Sequence, residues 1–150
     1  MEKKDNKEIK DNIRSSIIIQ LPKIFDRRGN LSFLESDHHI PFKIERSHWI
    51  YDVPGGEKRG GHAYKKNEEF IIALSGSFDV YVNDGKEEKK YHLNRSYYGL
   101  YIPAMNWRQM DNFSTNSLAL VISSTKFDTD DYIRELLLFK KMKNDKNVCL

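Results

Sequence analysis

The 150-residue chain is 31% charged and 39% hydrophobic, the make-up of a single water-exposed domain with a real core. No apolar run approaches the roughly 20 residues of a membrane-spanning helix, which excludes that class. The net charge of +3 arises from 25 basic residues interleaved with 22 acidic ones, so no basic stripe invites nucleic acid.

Residues 1–12 mix Lys, Glu, Asp and Asn without an apolar stretch and read as a solvated tail, neither signal peptide nor anchor, in a cytoplasmic protein. A single domain over residues 13–142 follows, and residues 143–150 read as a flexible C-terminal tail. The only cysteine, Cys149, excludes an internal disulfide framework and a cysteine-based zinc site.

From Ser16 onward, short segments rich in β-branched and aromatic residues alternate with Gly, Asn and Asp turn signals, which predicts an all-β sandwich or barrel. The expected strands are Ser16–Leu21, Leu31–Glu35, Lys43–Asp52, Gly61–Lys65, Glu69–Ser75, Ser77–Val82, Lys89–Leu93, Tyr98–Ile102, Trp107–Met110 and Leu118–Ser124. Ser75-Gly76-Ser77 and Asn83-Asp84-Gly85 both read as hairpin turns. In Ser77–Val82 the residues Phe78, Val80 and Val82 alternate with polar or larger neighbours, which predicts one inward row. One helix is expected near the end, capped by Asp128 or Asp130, with Ile133, Leu136, Leu137 and Phe139 or Lys140 at helical spacing.

The stretch from Gly56 to Glu69 carries the chemistry. His62 and Tyr64, two apart on a strand, point the same way. Gly56, His62, Glu69 and Gly76 resemble the first motif of cupins, in which His-x-His and a Glu hold a metal between two glycines. The fold this implies is a cupin-type double-stranded β-helix, a jelly-roll barrel with a short C-terminal helix. Here Tyr64 replaces the second His, and in the stretch Gly99–Arg108, matched to the second motif, Arg108 replaces the remaining ligand. A divalent site needs at least three converging donors, and a guanidinium opposes the cation, so neither a metal nor another cofactor is expected. Taken alone, His62 also fits a buried histidine bonded to a backbone carbonyl.

A narrower likeness rests on Arg59-Gly60-Gly61-His62-Ala63-Tyr64-Lys65-Lys66, Leu74-Ser75-Gly76-Ser77, Asp84-Gly85, Gly99-Leu100-Tyr101-Ile102-Pro103, Trp107, Phe113-Ser114 and Asp130-Asp131-Tyr132-Ile133-Arg134. Together, over about residues 24–139, these resemble the dTDP-4-keto-6-deoxyglucose 3,4-ketoisomerases. The resemblance implies a metal-free homodimer that moves the keto group of a dTDP-sugar from C4 to C3, supplying deoxy and amino sugars for surface glycans such as O-antigen, or for antibiotics. It implies His62 as the acid/base; Tyr64, at the place of the family's second imidazole, is left as hydrogen-bond donor or relay.

Around these, Arg59 and Lys65, with Arg108 next, are expected phosphate partners on the barrel rim. Tyr101, Trp107 and Tyr51 are candidates for a stacking wall or plain core. Glu69 either orients His62 or faces nothing, and His48 either compensates for the missing imidazole or is an ordinary surface residue. His38, His39 and His92 read as solvated loop residues without partners. Competing functions are a related deoxysugar epimerase, a non-catalytic nucleotide-sugar-binding cupin, and a metal-dependent cupin such as a dioxygenase, for which the ligands are missing.

Overall fold

The computed structural model describes residues 15–148; the tail expected over residues 1–12, and Cys149, lie outside the described residues. The strands are β1 (Ile17–Gln20), β2 (Lys23–Ile24), β3 (Leu31–Ser32), β4 (Arg46–Tyr51), β5 (Arg59–Tyr64), β6 (Glu69–Ser75), β7 (Phe78–Asn83), β8 (Glu88–Leu93), β9 (Tyr98–Ile102), β10 (Trp107–Asp111), β11 (Leu118–Ser123) and β12 (Tyr132–Ile133). They form two antiparallel five-stranded sheets, ordered β1-β9-β6-β11-β4 and β12-β5-β10-β7-β8, beside a small β2-β3 ribbon. This is the all-β sandwich expected from the strand spacing, in the jelly-roll form that the cupin resemblance implies.

The core fills the space between the sheets. Ile71, Ala73, Leu100, Ile102, Ala119 and Val121 from the first sheet meet Phe78, Val80, Val82, Leu93 and Met110 from the second. The inward row of Phe78, Val80 and Val82 is at most 3% exposed, each side chain contributing about 1.5–3 kcal/mol of burial. Strand β6 reads as an almost continuous apolar run because both of its faces are covered. Leu21, Ile40 and Phe42 blanket its outer face at Phe70 and Ile72.

Asn83-Asp84-Gly85 turns β7 into β8 as a hairpin, whereas Ser75-Gly76-Ser77 does not. It carries the chain from one sheet to the other. Gly76 lies at φ +65°, and a Cβ there would come within 2.5 Å of Ser114 Oγ and 2.8 Å of Ser117 Cα, so glycine alone fits this corner. Ser114 Oγ closes it by accepting the Ser77 N–H at 2.8 Å.

The C-terminal region also departs from the periodicity. Asp128 does cap, but it caps a short 3-10 turn over Thr129–Asp131, and Ile133 then enters β12 opposite Ala63. The buried Asp131 carboxylate accepts the N–H groups of Lys66 and Asn67, and that tether overrides helical spacing. The helix α1 runs over Leu136–Val148, so residues 143–148, expected in a loose tail, are helical. Phe139 is its buried anchor against Ala63, Met105 and Ile133 on the outside of the second sheet.

Candidate functional site

Strand β5 does not pair evenly with β10. His62 stands opposite Arg108 and Arg59 opposite Met110, so three steps on β5 face two on β10. The extra residue is a bulge at the glycines, with Gly60 at φ +69°. Directly opposed residues share a face and a bulge shifts the alternation by one. Arg59 therefore falls in register with the Met110 face, and its side chain is exposed at the open end. A Cβ on Gly60 would lie 1.8 Å from Arg108 Nη1, so the glycine makes room for the guanidinium.

Below the bulge, Arg108 and Glu69 form an ion pair across the two sheets. Nε and Nη2 of Arg108 donate to the two Glu69 oxygens at 2.9 and 2.8 Å, and Nη1 donates to the Gly60 carbonyl at 3.0 Å. Both side chains are 2% exposed. Burial pushes the Glu69 carboxyl up, but the Arg108 charge and hydrogen bonds outweigh it and hold the group below its usual range. Two expectations are corrected here. Arg108 is no rim ligand for phosphate, because its donors are spent on a buried carboxylate. Glu69 neither faces nothing nor bonds His62; it neutralises Arg108.

His62 sits above this pair, 9% exposed, with its Nε2 buried and unpartnered. Burial first, and then the Arg108 charge, push its pKa down to about 3, against a smaller upward pull from Glu69. The imidazole is therefore neutral at pH 7, with a lone pair free to accept a proton. Tyr64 is a direct neighbour, ring centroids 4.8 Å apart. Burial, followed by the Glu69 charge, raises its hydroxyl pKa well above the usual value, so Tyr64 is a donor and not a base.

His48 lies on the half-buried face of β4, where burial lowers its pKa while Glu69 and Arg108 act on it with opposite signs. It belongs to the electrostatic surroundings of His62. Lys65 lies exposed just past β5, its backbone N–H bonded to the Asp131 carbonyl at 2.9 Å.

Of the two readings of these aromatics, stacking wall or plain core, Tyr101 meets the second. Tyr101 is buried on the outer side of the first sheet, in contact with Phe42 and donating its hydroxyl to Glu68. Trp107 projects from the outer face of the second sheet against Phe139 of α1. Both were candidates because large aromatics in strands look alike whichever face they occupy. Tyr51 and Trp49 are exposed, 61% and 59%, on the outward side of β4, where they line a cleft with Lys58 and Arg59.

The remaining histidines do have partners. His38 and His39 stack at 4.2 Å, and His39 Nδ1 accepts the Glu35 N–H. His92 Nδ1 lies 2.6 Å from the Asp79 carboxylate. Among the described residues, Glu35, His38 and His39 are the group whose metal-ligating atoms converge; they lie on the loop before β4, not at the cupin ligand positions. At those positions stand one imidazole, one phenol and a mutually neutralised ion pair, a donor set that does not suit a divalent cation.

No role was assigned from the sequence to Tyr132 and Arg134, yet the Tyr132 ring touches His62 and the Arg134 charge acts on it. The Tyr132 ring lies 5.0 Å from His62 and 4.7 Å from Tyr64, and the Arg134 guanidinium covers it at 4.3 Å. The signal was present in the segment Asp130–Arg134, which helical spacing obscured.

The sequence matches the family described as "FdtA: WxcM-like, C-terminal" over residues 14–144. It is 39% identical over 124 residues, 83% of this chain and 89% of the relative, to a TDP-4-oxo-6-deoxy-alpha-D-glucose-3,4-oxoisomerase from Aneurinibacillus thermoaerophilus. The structure is similar to a TDP-quinovose 3,4-ketoisomerase from Campylobacter jejuni, with TM-score 0.82, 41% identity, and 86% and 99% of the two chains covered. It is also similar to a sugar 3,4-ketoisomerase from Thermoanaerobacterium thermosaccharolyticum in complex with TDP, with TM-score 0.85, 32% identity, and 89% and 98% covered.

Proposed function

Because the chain belongs to the FdtA (WxcM-like, C-terminal) family, whose relatives here are sugar 3,4-ketoisomerases, we propose that it moves the keto group of a TDP-4-keto-6-deoxyhexose from C4 to C3. The observation that carries the mechanism is the buried, unpartnered Nε2 of His62 beside Tyr64 and above the Glu69–Arg108 pair.

The reaction moves two hydrogens. His62 takes the proton from C3, which the adjacent C4 carbonyl acidifies, and the electron pair forms the C3–C4 double bond of an enediolate with its charge on O4. The O3 hydroxyl then gives up its proton as O4 gains one, the C3 carbonyl forms, and the imidazolium protonates C4. A neutral imidazole serves both C–H steps. The Tyr64 phenol, held protonated, serves the oxygens as a hydrogen-bond donor. Arg108, paired with Glu69, lies beneath and helps to keep the His62 imidazole neutral.

Arg59, exposed at the open end of β5, and Lys65 are the proposed pyrophosphate partners; with the bulge, Arg59 stands two ladder steps from His62, about 7 Å. We assign His48 a supporting electrostatic role. The protein works as a metal-independent homodimer in the cytoplasm, within deoxy or amino sugar synthesis for surface glycans.

The test is incubation with TDP-4-keto-6-deoxyglucose in deuterated water, read by proton NMR, with His62→Asn alongside. Wild-type conversion to a 3-keto product that the variant fails to form is the expected result. Binding without conversion or deuterium uptake would overturn the isomerase reading in favour of a nucleotide-sugar-binding cupin, which the replacement of an imidazole by Tyr64 would suit.

A further inference from the structure

Tyr132 stands directly opposite Tyr64 in the β12–β5 ladder. Opposed residues share a face, so its phenol enters the space that holds His62 and Tyr64. The three rings are in mutual contact, with centroids 4.7–5.0 Å apart. Strand β12 has only two residues, yet it is held on every side. The Asp131 carboxylate accepts two N–H groups, the Asp131 carbonyl accepts the Lys65 N–H, Ile133 is buried at 1%, and Arg134 lies over the Tyr132 ring.

Chemistry gives this placement a purpose. The isomerisation carries one proton from C3 to C4 and another from O3 to O4. An imidazole accepts at one nitrogen while donating from the other, and so serves such an oxygen-to-oxygen transfer alone. A single phenol has one oxygen. Two phenols in contact offer two, and one can donate to substrate while accepting from the other. Burial, and then the Glu69 charge, raise the Tyr64 hydroxyl, so Tyr64 stays protonated, and the Tyr132 ring lies against it at 4.7 Å.

Resting on the isomerase reading, we propose that Tyr132 acts with Tyr64 as one unit: its hydroxyl holds the Tyr64 phenol, and the two phenols together relay the proton from O3 to O4. The relay consumes nothing, because O3–H breaks as O4–H forms. It takes over the task of the imidazole that this chain lacks at position 64.

Tyr132→Phe keeps the ring and removes only the hydroxyl. Its kcat should fall about 10- to 100-fold with KM nearly unchanged, as for a lost aligning contact at a reacting group. The decisive readout is the ratio of C3 deuterium exchange to 3-keto product. His62 still forms the enediolate in the variant, but impaired O4 protonation returns it to C3, so the ratio rises. The double variant Tyr64→Phe/Tyr132→Phe should turn over no more slowly than Tyr64→Phe alone, since the two hydroxyls act as a unit. An unchanged ratio, a loss confined to KM, or a double variant slower by the full product of both effects would overturn the relay. If Tyr132→Phe does not fold, an unchanged ratio in Tyr64→Phe would do the same. Failure of the isomerase reading looks different, since the wild type would then give neither exchange nor product.

Discussion

His62 is defined by what surrounds it. Its pKa of about 3, lowered first by burial and then by Arg108, lies below the 6.5 of an exposed histidine. Between these values the unfolded chain binds a proton that the folded chain refuses, so stability is full above pH 6.5 and falls as pH drops below it. His48 is shifted in the same direction, and Glu69 enters only below about pH 4.5, the usual value for its carboxyl. Urea denaturation between pH 5 and 7.5 should therefore show stability level above about pH 6.5 and falling below it, by about 1.4 kcal/mol per pH unit for His62, with His48 adding in the same direction. His62→Asn should flatten that slope, leaving the part owed to His48. The ion pair gives a second prediction. Arg108→Met strands the Glu69 carboxylate in the interior and should cost about 3–5 kcal/mol, read as a shift of the urea midpoint. Removing both charges with Glu69→Leu/Arg108→Met should cost less than the single change. His62 was legible in the sequence because the motif spacing singled it out. The Glu69–Arg108 bond was not, because spacing locates each residue on its own strand and says nothing of which strands face each other.

Among elements, β5 governs the site through its irregularity. Ladder spacing alone would set Arg59 on the opposite face from His62; the bulge at Gly60 reverses that. Gly60→Ala places a methyl group 1.8 Å from Arg108 Nη1 at a φ of +69°, combining left-handed backbone strain with overpacking, about 2–4 kcal/mol together. Thermal unfolding should show that loss, and turnover at a temperature where the variant remains folded should fall further, because Arg108 and Arg59 both move. Most strands and the hairpin at Asn83–Gly85 were readable from turn residues and alternation. Two elements were not. Ser75-Gly76-Ser77 has the chemistry of a hairpin, but only the partner sheets of β6 and β7 make it a corner. Helical spacing of Ile133, Leu136 and Phe139 predicted a helix one turn too early, since a distant contact, Asp131 to Lys66 and Asn67, fixes β12 instead.

At the scale of the whole molecule, the two sheets bury one face each against the other, and α1 covers part of the outer face of the second through Phe139. The outer side of β4 remains apolar and open at Trp49 and Tyr51, and Ile24, Phe25 and Leu31 of the small ribbon and its turn are more than half exposed. Exposed apolar surface beside an edge strand favours association. Sedimentation should accordingly give a mass near twice the 17.7 kDa of one chain, and a Trp49→Glu substitution should shift the protein towards monomer. Composition foretold an apolar core but not which aromatics would be left outside it; Tyr101 and Trp107, expected within the barrel, pack on the outer faces of opposite sheets. The brace between Glu69 and Arg108 reaches further than the reaction it underlies. Gly60, Glu69 and Arg108 are separated in the gene but fit together as one object, so a change at either charged member leaves a bare charge that only a matching change at its partner relieves, and a side chain at Gly60 meets the guanidinium. A lineage could rebuild this floor into a metal-binding one only by changing several codons almost at once, which ties the descendants of such a chain to proton chemistry.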